Sequence, residues 1–296
     1  MADTQPILIL VAGPTASGKT DYAIQLAEYF NTVVLSADSR QIYKEISIGT
    51  AKPSQAQLSQ VPHYFVNHCS LKDPYNAGQF EKEALSLLDK LYVKNKVAVV
   101  AGGSGLYIKA LTEGFDDLPE ANIDLRSELQ RELEIHGVAY LFNKLQLMDP
   151  EGSKSIDPQN SHRIMRAIEI ITDTGLLLSQ LKTKTIIKRP FEIIKIVMDI
   201  DRKTVYERIN QRVDAMIEEG LLDEVKSVYE LRHLNTLKTV GYSELFDYLE
   251  EKCTLSEAIN KIKQHTRNYA KRQLTWLKGE SNLIPHTEFK PEMILK

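Results

Sequence analysis

Gly13-Pro14-Thr15-Ala16-Ser17-Gly18-Lys19-Thr20 has the spacing GxxxxGK[ST], and the chemistry that spacing serves is the holding of a polyphosphate. Glycine lets the backbone curl so that successive N–H groups and a helix N-terminus face an anion. Lys19 adds a full charge, and the Thr20 hydroxyl suits Mg²⁺. Asp38, which closes the apolar run TVVLSAD, is the one good carboxylate to work beside that loop. On residue type alone it serves equally as a turn or cap residue. The cradle recognises phosphate and not a base, so the polyphosphate itself stays open, with an ATP-using kinase or NTPase as the default reading. Against that default, VAVVAGG at 97–103 ends in glycines, with no carboxylate where a conventional NTPase often carries a second Mg²⁺ ligand.

The elements that must position these groups follow from pattern. ILILVA at 7–12 is a continuous apolar run of the kind a strand buried on both faces shows, and it leads directly into the glycine-rich loop. A helix from Thr20 carries Ala23, Ile24, Ala27 and Phe30 on one stripe, and a second strand ends near Asp38. A helix bearing Phe80, Ala84, Leu87, Leu88 and Leu91 precedes a third buried strand, Val97 to Gly103. Alternating strands and helices imply a parallel sheet, whose ligands sit at the carboxyl ends of the strands. The fold class expected is therefore α/β, a P-loop NTPase-like parallel sheet flanked by helices, with an inserted all-helical lobe. Residues 116–188 form that lobe, charged and helical in pattern, while 1–115 and 189–296 form the core. FEIIKIVMDI at 191–200 restores a strand. Thr204 with Glu207 reads as a capping box opening the next helix, which Gly220 interrupts. Thr254 with Glu257 opens a long helix running to about Lys278.

Composition narrows the classes. The chain of 296 residues is 43% hydrophobic and 26% charged with a net charge of −3, which suits a folded chain with a core and excludes a generic polybasic binder of nucleic acid or membrane. No apolar run reaches the ~18 residues of a membrane span, and the N-terminus lacks a basic leader, so a cytoplasmic location without membrane contact is expected. The two cysteines, Cys69 and Cys253, form no metal or redox motif, and both are expected to be inert. The histidines, His63 and His136 among them, show no metal spacing.

SADSRQIY (36–43), IGTAKP (48–53), GGSGLY (102–107), RINQRVDAMIEEGLLDEV (208–225), VGY (240–242) and TRNYAKRQLTWL (266–277) follow the glycine-rich loop in one order. Together these motifs resemble the tRNA dimethylallyltransferase family, also called tRNA isopentenyltransferase, over nearly the whole chain. The resemblance implies transfer of a dimethylallyl group from dimethylallyl diphosphate to N6 of the adenine on the 3′ side of the anticodon, with release of diphosphate. It puts the prenyl diphosphate, not ATP, in the cradle of Gly13, Pro14, Thr15, Ala16, Ser17, Gly18, Lys19 and Thr20, with Mg²⁺ on Thr20. Any ATP-binding label is then inheritance of the motif. It implies Asp38 as general base, Arg212 as a clamp on diphosphate, and Ser104 as a hydroxyl that contacts diphosphate or the reacting adenine. Ser104 stands where the family usually has Thr.

The same resemblance implies tRNA contacts from Asp38, Ser39, Arg40, Gln41 and Ser104, from Arg126, and from His162, Arg163, Ile164, Met165 and Arg166. That last stretch departs from the family's common NDPQR pattern, since Asn160 and Ser161 replace its acidic and proline residues. On the final helix Lys261, Lys263, Arg267, Lys271, Arg272 and Lys278 are expected to face tRNA phosphates while Ile259, Ile262, Tyr269 and Leu277 face the core. Trp276 reads as a core tryptophan, and Ser243 stands where the family often has a basic residue. The expected partners are the tRNA anticodon stem-loop and dimethylallyl diphosphate, the expected state a monomer. Two other readings stand beside this one: a P-loop small-molecule kinase in which Asp38 activates a substrate hydroxyl, and a noncatalytic tRNA-binding module.

Overall fold

The computed structural model describes residues 5–73, 75–114, 122–181, 186–286 and 291–294. Its strands are β1 (Ile7–Ala12), β2 (Val34–Ala37), β3 (His63–Tyr64), β4 (Val97–Gly102), β5 (Glu192–Met198) and β6 (Leu283–His286). Its α-helices are α1 (Lys19–Tyr29), α2 (Gln55–Gln60), α3 (Ala77–Tyr92), α4 (Gly105–Glu113), α5 (Ile123–Met148), α6 (Pro150–Ser153), α7 (Ser161–Thr174), α8 (Leu178–Leu181), α9 (Arg202–Glu218), α10 (Leu221–Ser227), α11 (Tyr242–Leu249) and α12 (Leu255–Lys278). By contacts the chain divides into one compact unit of Met1–Glu113 with Lys188–Lys296 and a second of Gly114–Ile187.

The first unit is built on a six-stranded, all-parallel sheet in the order β3-β2-β4-β1-β5-β6. The apolar run of β1 takes the place it demands, paired on one side with β4 and on the other with β5, its Leu8, Ile9 and Val11 fully buried. Because β4 lies between β1 and β2, the carboxyl ends of these three strands are neighbours. Asp38 follows β2, Gly103 and Ser104 follow β4, and the glycine-rich loop follows β1, so strand order alone gathers residues far apart in sequence. Gly102 is required there, since a Cβ would fall 2.3 Å from the Ala37 carbonyl oxygen.

Three details differ from the sequence reading. The edge strands β3 and β6 are additional, and they are short. β6 contains Pro285, which a parallel sheet tolerates at an edge, where an N–H is not needed. The helix expected to open at Thr204 instead has Asp201 as N-cap, accepting from the Thr204 N–H, so Thr204 lies inside α9. The capping box at Thr254 and Glu257 is present as expected.

Arg189 fixes the point where the chain returns to the sheet. Only 9% exposed, it donates from Nε to the Leu111 carbonyl at 2.9 Å and from Nη2 to the Ala110 carbonyl and to Glu81, each at 2.6 Å. It thus satisfies last-turn carbonyls of α4 and a half-buried carboxylate together. Arg189→Ala leaves all three without this donor and is expected to cost about 3–5 kcal/mol, read as a lower urea midpoint at unchanged slope. Arg189→Lys keeps the charge without the planar fork and falls between.

The second unit packs α5, α6, α7 and α8 around Leu129, Leu141, Leu145, Ile164 and Ile168. Gly137, at φ +79°, kinks α5. Asp149, fully buried, accepts from the Gly152 and Leu178 N–H groups, which tie α6 and α8 together.

Candidate active site

The glycine-rich loop has the alternation that turns N–H groups toward one centre: Ala16 lies at φ +63° and Gly18 at φ +84°. Alanine in the left-handed region costs backbone strain. Its methyl offsets that cost by packing, only 4% exposed, with Val205 and Ile209 of α9 and Ala270 of α12. The apex of the loop is therefore held from outside by two C-terminal helices. Gly13 must be glycine, because a Cβ would fall 2.6 Å from the Ser17 hydroxyl. That hydroxyl is buried and has no protein partner among the described residues.

Charge converges on this loop. Lys19 Nζ donates to the Pro14 carbonyl at 3.2 Å, and its pKa is lowered to about 8, chiefly by burial, with Asp38 opposing and Arg212 adding to the fall. Arg212 projects from α9, where Ile209 and Val213 are buried, and its Nη1 donates to the Thr15 hydroxyl at 3.4 Å. Burial lowers its pKa as well, with Asp21 opposing and Arg208 reinforcing the effect. Lys19 thus feels both the Asp38 carboxylate and the Arg212 guanidinium, beside a cavity of 640 Å³ lined by the loop, by Asp38 to Gln41 and by α9 and α12.

Asp38 performs both roles that its residue type allows. Its Oδ1 accepts from the Arg40 N–H at 2.9 Å and from the Gln41 N–H at 3.3 Å, the geometry of an Asx turn. Its Oδ2 accepts nothing among the described residues, so one oxygen orients the carboxylate and the other is available to substrate. Ser104 fixes the same turn: its Oγ accepts from the Ser39 N–H at 2.9 Å. Gln41 turns inward. Its amide donates to the Thr50 and Ala51 carbonyls and accepts from Ser36 Oγ, so the side chain expected on tRNA is committed to the protein.

Four residues not assigned to the site from sequence shape it. Glu224 of α10 accepts from three successive N–H groups, Ser47 at 2.7 Å, Ile48 at 2.8 Å and Gly49 at 3.0 Å, and from the Tyr242 hydroxyl at 2.6 Å, anchoring the IGTAKP loop that lines the cavity. Tyr242 also explains Gly49, where a Cβ would fall 2.6 Å from the tyrosine ring. Gln273 of α12, 7% exposed, accepts from the Thr15 N–H and donates to the Gly103 carbonyl, both at 2.9 Å. Thr15 therefore spends its N–H on Gln273 and its hydroxyl on Arg212. Tyr269, expected in the core, lines the cavity instead. Burial raises its phenol to about 12, with Asp38 in the same direction and a hydrogen bond with Ser104 opposing. A sequence signal existed for Gln273, a lone polar residue on the buried stripe Ala258, Ile262, Ala270, Leu277.

The basic face of α12 is partly internal. Lys263 pairs with Asp214 at 2.6 Å and Arg267 donates to Asn210 at 2.6 Å, so these two cations lock α12 to α9. Lys271 and Arg272 stay exposed, with the Arg272 guanidinium 5.7 Å from the Tyr269 ring centre. The indole of Trp276 packs on Gly105, where a Cβ would fall 2.7 Å from it.

In the second unit the expected tRNA residues divide. Ile164 and Met165 are core residues, 0% and 7% exposed, and their side chains cannot meet tRNA. Arg126 and Arg166 both donate to Glu169, at 2.7 and 2.9 Å, a carboxylate 1% exposed that also accepts from the Asn122 N–H. His162 and Arg163 are exposed at the start of α7.

A parallel sheet with a phosphate cradle at the end of its central strand defines a P-loop α/β protein. The comparisons give the family within that class. The family model for IPP transferase matches residues 41–280, and the chain belongs to that family. A tRNA dimethylallyltransferase of Christiangramia forsetii is 46% identical over 276 residues, 93% of this chain and 91% of its own. One from Cytophaga hutchinsonii is 47% identical with the same coverage. Among solved structures, the full-length tRNA isopentenylpyrophosphate transferase of Bacillus halodurans superposes with a TM-score of 0.71 at 34% identity, covering 98% of this chain and 94% of that one. A eukaryotic dimethylallyltransferase acting on tRNA gives 0.80 at 28% identity, covering 96% of this chain and 74% of that one.

Proposed function

We propose that this chain transfers the dimethylallyl group of dimethylallyl diphosphate to N6 of the adenine 3′ to the anticodon in tRNA. The observation that carries the reading is the convergence of Lys19 and Arg212 with a carboxylate whose Oδ2 is uncommitted, in one cavity at the carboxyl ends of β1, β4 and β2. Family membership supports the same substrates.

The chemistry follows from those groups. The allylic C–O bond breaks, leaving positive character on the hydrocarbon and the electron pair on departing diphosphate. Lys19, Arg212, the loop N–H groups and the buried Ser17 hydroxyl stabilise the growing negative charge. The new C–N bond forms from N6, whose proton passes to Asp38 Oδ2 while Oδ1 stays in its turn. The adenine must leave the anticodon-loop stack to reach the cavity, a small cost for an unpaired base. Ile48, Ile209, Val213, Val240 and Ile262 supply apolar wall for the hydrocarbon.

Mg²⁺ fits this site as a partner of the substrate. Among the described residues no cluster of three or more His, Cys, Asp or Glu forms a cage. Mg²⁺ needs only one or two protein oxygens when phosphate supplies the rest, and the Thr20 hydroxyl on the first turn of α1 makes no hydrogen bond among the described residues. When bound, the ion neutralises charge on the leaving group. Chelation is accordingly expected to remove transfer, and Thr20→Val to raise the Mg²⁺ concentration for half-maximal rate about tenfold, checked by titrating Mg²⁺ at saturating substrates.

The reading is tested by following diphosphate release from dimethylallyl diphosphate with and without unmodified tRNA. Release that requires tRNA supports it. ATP-dependent phosphorylation of a small molecule with no response to tRNA would instead select the kinase.

A further inference from the structure

The β1–β4 ladder ends at the pair Ala12 and Gly102, and beyond it the two strands part into the loops that carry the reaction. Gln273 spans that gap. Its acceptor faces the Thr15 N–H and its donor faces the Gly103 carbonyl, both at 2.9 Å, so two backbone groups of opposite polarity fix the amide's orientation. The space is built for it: a Cβ at Gly103 would fall 2.2 Å from Gln273 Nε2. On the cradle side, Thr15 also receives Arg212. On the other side Gly103 adjoins Ser104, whose hydroxyl accepts from the Ser39 N–H beside Asp38 at 2.9 Å. One continuous path therefore runs from cradle to carboxylate: Thr15, Gln273, Gly103, Ser104, Ser39, Asp38.

We propose that Gln273 is a positioning residue, the strut that sets the spacing between the diphosphate cradle and the Asp38 carboxylate. This rests on the prenyl-transfer reading above. In such a transfer the allylic carbon lies between a diphosphate oxygen held by one loop and a nitrogen oriented by the other, so an error in their separation enters the reacting geometry directly. A displacement of about 1 Å costs on the order of 10²-fold in rate. The amide oxygen and nitrogen of Gln273 are both engaged with backbone groups, so diphosphate binding is expected to survive its loss.

The test measures kcat for transfer, the Kd of inorganic diphosphate with Mg²⁺ by calorimetry, and thermal unfolding. Gln273→Ala is expected to lower kcat by about 30–100-fold with the diphosphate Kd within about threefold of wild type. Gln273→Glu supplies a second readout that does not depend on how the truncated variant folds. As a carboxylate it sets an oxygen against the Gly103 carbonyl; as a neutral acid it regains a donor there and keeps the acceptor for Thr15. With Lys19 and Arg212 close by, the carboxyl stays ionised at neutral pH, so Gln273→Glu should lower kcat at least as far as Gln273→Ala does. A wild-type kcat in Gln273→Ala or in Gln273→Glu, or a kcat loss in Gln273→Ala matched by equal loss of diphosphate affinity, would overturn the proposal. A wild-type chain that transfers nothing overturns the functional reading and this inference with it, a result obtained without any substitution.

Discussion

Asp38→Asn is expected to lose transfer by about 10²–10⁴-fold while binding diphosphate nearly as well as wild type. Asparagine is the informative replacement because Asp38 has two jobs. Its Oδ1 holds the turn through the Arg40 and Gln41 N–H groups, and an amide oxygen can continue to do so. The other oxygen is the one assigned to the proton of N6, and an amide nitrogen cannot accept it. Asp38→Ala removes both functions, so its loss should equal or exceed that of asparagine. Single-turnover rates at saturating substrates, beside calorimetry with inorganic diphosphate, separate the two. Near-normal turnover in Asp38→Asn would leave Asp38 as a turn residue only.

The second large effect concerns the leaving group. Lys19→Met and Arg212→Ala should each cost about 10²–10³-fold in kcat/KM, with weaker diphosphate binding in both. Lys19 adds a pH signature whose sign follows from its surroundings. Burial, opposed by Asp38 and aided by Arg212, brings its pKa to about 8, so the free protein carries the charge below that value and loses it above. Diphosphate binds the charged form better and raises its pKa in the complex. Affinity should hold steady on the acid side of pH 8 and fall as pH rises through it. Lys19→Met, with nothing to titrate, should show weak binding without that decline.

How far the sequence reveals this site depends on how local each signal is. The glycine-rich loop, the apolar runs of β1, β4 and β5 and the stripe of α12 are patterns within a few residues, and each element forms close to where it reads. Asp38, Lys19 and Arg212 come together because the sheet order brings β2, β4 and β1 to one edge and α9 packs on the loop apex. The struts are different. Gln273 meets Thr15 across 258 positions, and Glu224 meets the Ser47 to Gly49 backbone across about 175, contacts that only the closed fold creates. Local competition misled in smaller ways: Asp201 outranks Thr204 as a cap, and Arg126 meets the buried Glu169 across 43 positions, although Arg166 stands only three residues before it on the same helix.

That burial has a consequence for tRNA. Arg126 and Arg166 are held in place by Glu169, so any phosphate they meet finds guanidinium groups already oriented, whereas Arg163 and His162 stand free of the core. Lys271 and Arg272 flank Gln273 on the same helix, facing solvent where Gln273 faces the cradle.

The final position of the hydrocarbon shows whether Asp38 orients the amine. An unmodified anticodon stem-loop carrying adenines on both sides of the anticodon and within it is incubated with the wild-type chain, dimethylallyl diphosphate and Mg²⁺, then digested and read by fragment mass spectrometry. The added group should appear once, on N6 of the adenine immediately 3′ to the anticodon. Its appearance on other adenines alike, on a ribose oxygen, or nowhere while diphosphate is still released would contradict an oriented amine receiving the prenyl group beside Asp38.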